Sequence, residues 1–243
     1  MRCCVAIFAK YPLRGQVKTR LSPPLTLDEA TELYRAFLLD TMHLVSEIHG
    51  IEPCILFAPA ESYNDFRALA LTNFLLVPQT GTDFGERINN GFRDLFGYGF
   101  DSVAIMDADS PTLPRAHVSR LFEQLSDPGC DVSVGPSDDG GYWAIGMKQW
   151  HRAVLSGIPW STERVLQTTL ERARDARLTA ACAPAWYDVD GASMLERLYA
   201  EQAANPAAGP YTRRTLAQLG LPDRRVEAMR MAVPAPSANI RLE

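Results

Sequence analysis

An α/β fold, with helices on both faces of a mostly parallel sheet, is what the hydrophobic pattern of this chain predicts. Two observations lead there. Short apolar runs at residues 5–9, 53–58, 75–77 and 102–106 have the length of buried strands. Stretches with apolar residues at helical spacing lie between them, and a strand, helix, strand rhythm calls for parallel crossovers.

Residues 5–9, Val-Ala-Ile-Phe-Ala, form the first expected strand. The loop after it holds Pro12, which fixes φ, and Gly15, which tolerates conformations other residues resist. Lys10, Arg14, Lys18 and Arg20 crowd into this loop although the whole chain carries a net charge of -5. A basic, Gly-containing loop between a first strand and a first helix is a natural phosphate cradle; the plainer alternative is a solvated basic turn. Leu25 closes the loop. Thr26 and Glu29 make a capping box for a helix over 26–48, with Ala30, Leu33, Tyr34, Phe37, Leu38 and Met42 on its apolar face.

Residues 53–58 read as a second strand, 62–70 as a short helix and 75–77 as a third strand. A helix starting near Phe84-Gly85-Glu86-Arg87 runs to about Phe96. Its first turn either points towards the sheet's carboxyl edge or carries ordinary surface charges. Residues 102–106 are the most strand-like in the chain and run directly into Asp107-Ala-Asp109. Two carboxylates at the end of a buried strand are costly unless a cation pairs with them. At the ligand-binding edge of an open sheet they suit Mg²⁺ or Mn²⁺ held with a phosphate. The alternative, an Asp cap for a helix over 114–125, accounts for only one of them.

Residues 131–134 and 142–146 read as strands joined by Ser137-Asp138-Asp139-Gly140-Gly141, a hairpin signal whose glycines also let a ligand approach the backbone. Ser161 or Thr162 is the expected cap of a helix running to about Arg174. An edge-like strand over 178–184 leads to a second Asp-x-Asp, Asp188-Val189-Asp190, and then a helix over 193–203. A further helix is expected over 211–219, and a loose tail over 233–243. The expected division is one nucleotide-binding transferase domain over 1–204, with linker, short helix and tail over 205–243.

Composition narrows the function. An apolar fraction of 47% is ample for a full core, and the acidic net charge argues against nucleic acid as a partner. No run of about 18 apolar residues is present and no cleavable signal is evident, so a cytoplasmic protein without membrane contact is expected. Cys3, Cys4, Cys54, Cys130 and Cys182 lack metal spacing and read as small buried hydrophobes in a reducing compartment.

Six motifs occur in order: Phe8-Ala-Lys-x-Pro-x-x-Gly-x-Val-Lys-Thr-Arg-Leu21, Gly85-Glu-Arg, Asp109-x-Pro-x-Leu, Gly135-Pro-x-x-Asp-Gly-Gly-Tyr142, Trp160-Ser-Thr and Asp188-Val-Asp190. Together, over roughly residues 3–200, they resemble a bacterial family of GT-A-like transferases. The family is often found beside radical-SAM and selenodomain proteins, and its members are named glycosyltransferase-like or nucleotide-diphospho-sugar transferase-like. The chain is more distantly similar to phospholactate guanylyltransferase, molybdenum cofactor guanylyltransferase and CMP-sugar synthetases. The resemblance implies a Rossmann-like three-layer sandwich. It also implies that Lys18 and Arg20 hold phosphates while Asp109 and Asp190 hold Mg²⁺ or Mn²⁺.

The nucleotide site is thus expected at Lys10, Gly15, Lys18, Thr19, Arg20, Gly85, Glu86 and Arg87, and the acceptor site at Gly140, Gly141, Tyr142, Trp160 and Ser161. Metal ligands are sought among Asp107, Asp109, Asp188 and Asp190. The catalytic set is Lys18, Arg20, Asp109 and Asp139, the last as a base if one is needed. Nucleotidyl transfer from a nucleoside triphosphate to a phosphorylated or acidic small molecule is the leading expectation. Glycosyl transfer from a nucleotide sugar is the second, favoured by Asp107, since the family usually has Gly there. A non-catalytic nucleotide-binding module is the third. A homodimer is the assembly considered.

Overall fold

The computed structural model describes residues 2–70 and 73–220. Its centre is a seven-stranded sheet of β1 (Cys3–Lys10), β2 (Ile51–Ala58), β3 (Leu75–Pro78), β4 (Ser102–Met106), β5 (Val132–Pro136), β6 (Tyr142–Met147) and β7 (Ala180–Cys182), in the order β3-β2-β1-β4-β6-β5-β7. All pairings are parallel except those of β6, which runs antiparallel between β4 and β5. The hairpin expected from the Gly-Gly signal therefore exists, and its second strand inserts next to β4. Chain order reverses beside β1, so the loops leaving β1 and β4 diverge and open a crevice at their carboxyl ends.

The helices are α1 (Leu27–Ser46), α2 (Tyr63–Leu69), α3 (Phe84–Gly97), α4 (Arg115–Ser126), α5 (Val165–Asp175), α6 (Ala192–Ala204) and α7 (Pro210–Gln218). The Thr26–Glu29 capping box forms as read: the Thr26 side chain accepts the Glu29 N–H and the Glu29 carboxylate accepts the Thr26 N–H. One face of the sheet packs Val5, Ile7, Ile55 and Phe57 against α1, α2 and α4. The other packs Cys4, Ala6, Leu56 and Ile105 against α3 and α5. A strand with both faces covered reads as a continuous apolar run, which is why β1 and β4 were visible without alternation.

Three sequence expectations need correction. The helix expected from Thr162 starts at Val165 with Arg164 at its cap position: Ser161 sits at φ 64, and the Thr162 hydroxyl donates to Pro159 O at 2.7 Å and accepts the Arg164 N–H at 3.3 Å, ahead of the helix's first turn. The helix after Asp109 has Pro114 as its cap, which frees both aspartates from that role. Cys182 is exposed on the edge strand, while Cys4, Cys54 and Cys130 are buried as expected. The tail over 233–243 lies outside the described residues.

A third cluster seats α6 and α7. It joins Leu21 and Leu25 of the basic loop, Leu33 and Phe37 of α1, Tyr187, Val189, Leu195, Leu198 and Leu216. Helix α7 is fixed to α1 through Asp40, whose buried carboxylate accepts the N–H groups of Tyr211 at 2.9 Å and Thr212 at 2.8 Å. Asp40→Ala removes both acceptors at a helix start and is expected to lower unfolding free energy by about 1–2 kcal/mol. Urea denaturation against Asp40→Asn, which keeps one carbonyl oxygen, checks this; equal midpoints for the Ala variant and the parent would dismiss the cap.

Candidate active site

The third cluster explains how two distant motifs meet. Tyr187 and Val189 alternate with Asp188 and Asp190, and in an extended segment successive side chains point opposite ways. Both apolar residues are buried beside Leu21 and Leu25, and Val189 N–H donates to Asp109 O at 2.8 Å. The carboxylate of Asp190 is thereby brought to Lys18.

Lys18 is the centre of the site. Its ammonium lies 2.8 Å from Asp109 Oδ1 and 2.6 Å from Asp190 Oδ1. The Lys18 side chain is 5% exposed, Asp109 32% and Asp190 49%, so the cation is the most enclosed member of the triad. Its backbone is left-handed, at φ 45 and ψ 36, which for a residue with a Cβ costs on the order of 1–2 kcal/mol. Burial works against the Lys18 charge, but the two carboxylates outweigh it and its pKa lies above the ordinary lysine range.

These residues open on a cleft of about 540 Å³ at the carboxyl ends of β1 and β4. One half is charged, with Lys10, Lys18, Arg20, Asp107, Asp109 and Asp190. The other is ring-lined, with Phe8, Phe84 and Tyr142. The Tyr34 hydroxyl, also on the cleft wall, accepts the Lys10 N–H at 3.2 Å. Lys10 and Arg20 make no ion pair among the described residues, whereas Arg14 turns away to Asp28 at 2.8 Å.

Burial, then the like charges of Asp188 and Asp109, push the Asp107 carboxyl far above the usual range. Asp107 Oδ1 accepts the Asp109 N–H at 3.0 Å. Asp188 is not on the cleft wall. Its oxygens accept from the Ser110 hydroxyl at 2.9 Å and the Ser137 hydroxyl at 2.6 Å, and burial raises its pKa to about 6 against the Ser137 bond. It ties the loops after β4 and β5 to the late motif.

The donor set fits a hard divalent cation. Asp109 Oδ1 and Asp190 Oδ1 converge on one point with Asp107 on the same cleft wall, and hard carboxylate oxygens are the ligands such an ion takes. Among the described residues no three acidic, His or Cys side chains form a ready-made site, and the point where Asp109 and Asp190 converge is taken by the Lys18 ammonium.

Of the expected nucleotide-binding residues, Lys10, Lys18, Thr19, Arg20 and Arg87 line the cleft. Gly15, at φ 74, shapes the loop without reaching it. Gly85 and Glu86 lie in a neighbouring cavity of about 560 Å³ that shares Phe84 with the cleft. Glu86 is tied back to the Thr82 N–H and hydroxyl, both at 2.8 Å. A Cβ on Gly85 would stand 2.5 Å from Trp160 Nε1, so glycine there lets the Trp160 ring dock on α3 and meet Phe84 edge-on at 4.9 Å.

Of the expected acceptor residues, Tyr142 lines the cleft and Trp160 the neighbouring cavity; Gly140, Gly141 and Ser161 line neither. Asp139, the expected base, accepts the Gly141 N–H at 2.8 Å within its own turn and is not on the cleft wall. Sequence reasoning missed Phe8, Tyr34 and Phe84 as lining residues. Tyr34 was hidden in the apolar stripe of α1, where its hydroxyl gave no signal.

The family model described as "Uncharacterized protein conserved in bacteria (DUF2064)" matches residues 41–162. A solved structure from Desulfovibrio desulfuricans G20, provisionally assigned as a nucleotide-diphospho-sugar transferase, is 32% identical; the match covers 90% of this chain and 97% of that one, with a TM-score of 0.80. A 2-phospho-L-lactate guanylyltransferase of Methanothermobacter thermautotrophicus is 30% identical over 128 residues, spanning 51% of this chain and 53% of that relative. A cytidylyltransferase from Leptospira borgpetersenii is 13% identical over 90% of this chain and 95% of that one, with a TM-score of 0.55, a likeness of fold.

Proposed function

This chain belongs to the DUF2064 family, and from that premise we propose that it is a nucleotidyltransferase that moves a nucleoside monophosphate from a nucleoside triphosphate to a phosphorylated or acidic small molecule. The observation that carries the reading is Lys18 held between Asp109 and Asp190 in a cleft that also carries Lys10 and Arg20, neither of which makes a close ion pair among the described residues. The guanylyltransferase relative and the cytidylyltransferase of the same fold support it.

In the proposed reaction an acceptor phosphate or carboxylate oxygen attacks the α-phosphorus, the bond between the α-phosphorus and the bridging oxygen breaks, and pyrophosphate leaves with the electron pair. Such a displacement needs alignment and charge neutralisation more than proton transfer. Lys10, Lys18 and Arg20 hold the β- and γ-phosphates, and the ring-lined half of the cleft takes the rest of the ligands. Asp109 and Asp190, with Asp107 behind them, would hold Mg²⁺ or Mn²⁺, which would supply charge neutralisation at the phosphates. Asp139 is not needed as a base when the acceptor oxygen is already anionic, consistent with its place inside the 137–141 turn.

Glycosyl transfer from a nucleotide sugar is the second reading. It is favoured by Asp107 and Asp109 both facing the cleft and by the Desulfovibrio structure. Incubating the protein with each nucleoside triphosphate, Mg²⁺ and a panel of sugar phosphates and phospho-acids, and following pyrophosphate, separates the two. Release with one acceptor class is expected. Stabilisation by UDP- or GDP-sugars alone, with no response to triphosphates, would move the assignment to the second reading. Among the described residues no helix is long and apolar enough to cross a membrane.

A further inference from the structure

We infer that Lys18 is a placeholder cation: its ammonium fills the position between Asp109 and Asp190 where a divalent ion would sit, so the ion enters only with an anionic ligand that draws the ammonium off. The inference rests on the proposed nucleotide reading and adds an order of binding to it.

Three observations carry it. The same two oxygens, Asp109 Oδ1 and Asp190 Oδ1, converge on a single nitrogen at 2.8 and 2.6 Å. A divalent ion using those oxygens and the ammonium cannot share the place, since both are cations and the side chain around Nζ is closed to water. The Lys18 backbone is left-handed without being glycine, and the residues on either side of the turn are held by Leu21 and Val17 in the core, so the ion pairs help hold a strained geometry that a competing anion can release. Finally, Lys10 and Arg20 line the same cleft and make no close ion pair among the described residues, although Lys10 lies near enough to Asp109 to act on its charge, so an incoming phosphate chain has two cations to dock on before it competes for Lys18. Asp107 lines the same cleft as Asp109 and Asp190, so carboxylate oxygens remain for a divalent ion once Lys18 has turned to the phosphates.

The expected behaviour is that the chain binds metal poorly alone. Titrating Mn²⁺ with no nucleotide into the full chain, followed by loss of the free-ion electron paramagnetic resonance signal, gives the dissociation constant. Lys18→Met and Lys18→Gln are expected to bind Mn²⁺ at least tenfold more tightly than the parent, and Lys18→Arg, which keeps the charge, within about twofold of it. Equal or weaker binding by the neutral variants, or a gain by the Arg variant as large as theirs, overturns the placeholder. Should the neutral variants fail to fold by circular dichroism, the parent decides: the ¹⁵Nζ ammonium signal assigned to Lys18 by its loss in Lys18→Arg must stay in place on adding Mg²⁺ alone and move on adding Mg²⁺ with a nucleoside triphosphate. Movement with Mg²⁺ alone overturns the inference. None of these readouts needs turnover. Pyrophosphate release without the affinity gain sinks the placeholder and spares the nucleotidyl reading. Absence of any nucleotide binding sinks that reading instead.

Discussion

Asp109→Asn is expected to lower kcat for pyrophosphate release by about 10²–10³-fold while leaving the fold intact. The magnitude is that of losing one preorganised electrostatic contact at a charge-developing centre. Asparagine keeps the shape and one carbonyl oxygen, so the Lys18 ammonium retains an acceptor, and the main-chain bond from Val189 N–H to Asp109 O is untouched. What is lost is the negative charge at the point where Lys18, Asp190 and any bound cation meet. Because Asp190 keeps a charge on the enclosed Lys18 ammonium, the stability loss should stay below the roughly 3–5 kcal/mol of stripping a buried charge of its partner. Asp188→Asn is the informative companion. Asp188 is occupied by the Ser110 and Ser137 hydroxyls and does not line the cleft, so its loss should appear first as a lower Tm and only indirectly in kcat. Pyrophosphate release and thermal unfolding on both variants decide it; parental kcat in Asp109→Asn would remove that residue from the reaction, and a larger kcat loss in Asp188→Asn would exchange the two roles.

The contrast between these aspartates shows what the sequence could and could not display. Asp107-Ala-Asp109 was legible because a continuous apolar run, 102–106, ends on it, and a buried parallel strand delivers its last residues to the ligand edge whatever the loops do. The alternation in Asp188-Val189-Asp190 was visible, but which partner each carboxylate takes was not. Lys18 and Asp190 are 172 positions apart, and they meet because Leu21 and Val189 are buried in one cluster. The start of α5 is displaced because Ser161 and Thr162 are good capping residues by chemistry, yet here one has a left-handed backbone and the other bonds Pro159 O and the Arg164 N–H ahead of the first turn. The glycines were the least legible of all. Gly85 and Gly140 read as places for a ligand to come close, whereas what comes close is Trp160 in one case and the Glu163 backbone in the other.

Gly140 makes the second large effect. It sits at φ +86, and a Cβ there would stand 2.2 Å from Glu163 O and 2.7 Å from Glu163 C and Cα, all main-chain atoms that cannot swing aside. Leu166 N–H donates to Gly140 O at 2.9 Å, so the 137–141 turn is clamped to the start of α5. Gly140→Ala therefore combines a left-handed penalty of about 1–2 kcal/mol with an overpacking cost of about 1–3 kcal/mol. Together they are expected to lower Tm by roughly 5–15 °C in a chain of this size. Gly141 is its control: no positive φ is required, and the nearest atom to its added Cβ is Asp139 Oδ1 at 3.0 Å, the end of an exposed side chain that can rotate. Gly141→Ala should stay within about 1 kcal/mol of the parent. If Gly141→Ala keeps its Tm but raises KM for the acceptor, that glycine is the one the acceptor approaches, and Gly140 serves only the docking of the turn on α5. A Gly140→Ala protein as stable as the parent would show that the turn is not clamped to Glu163 in solution.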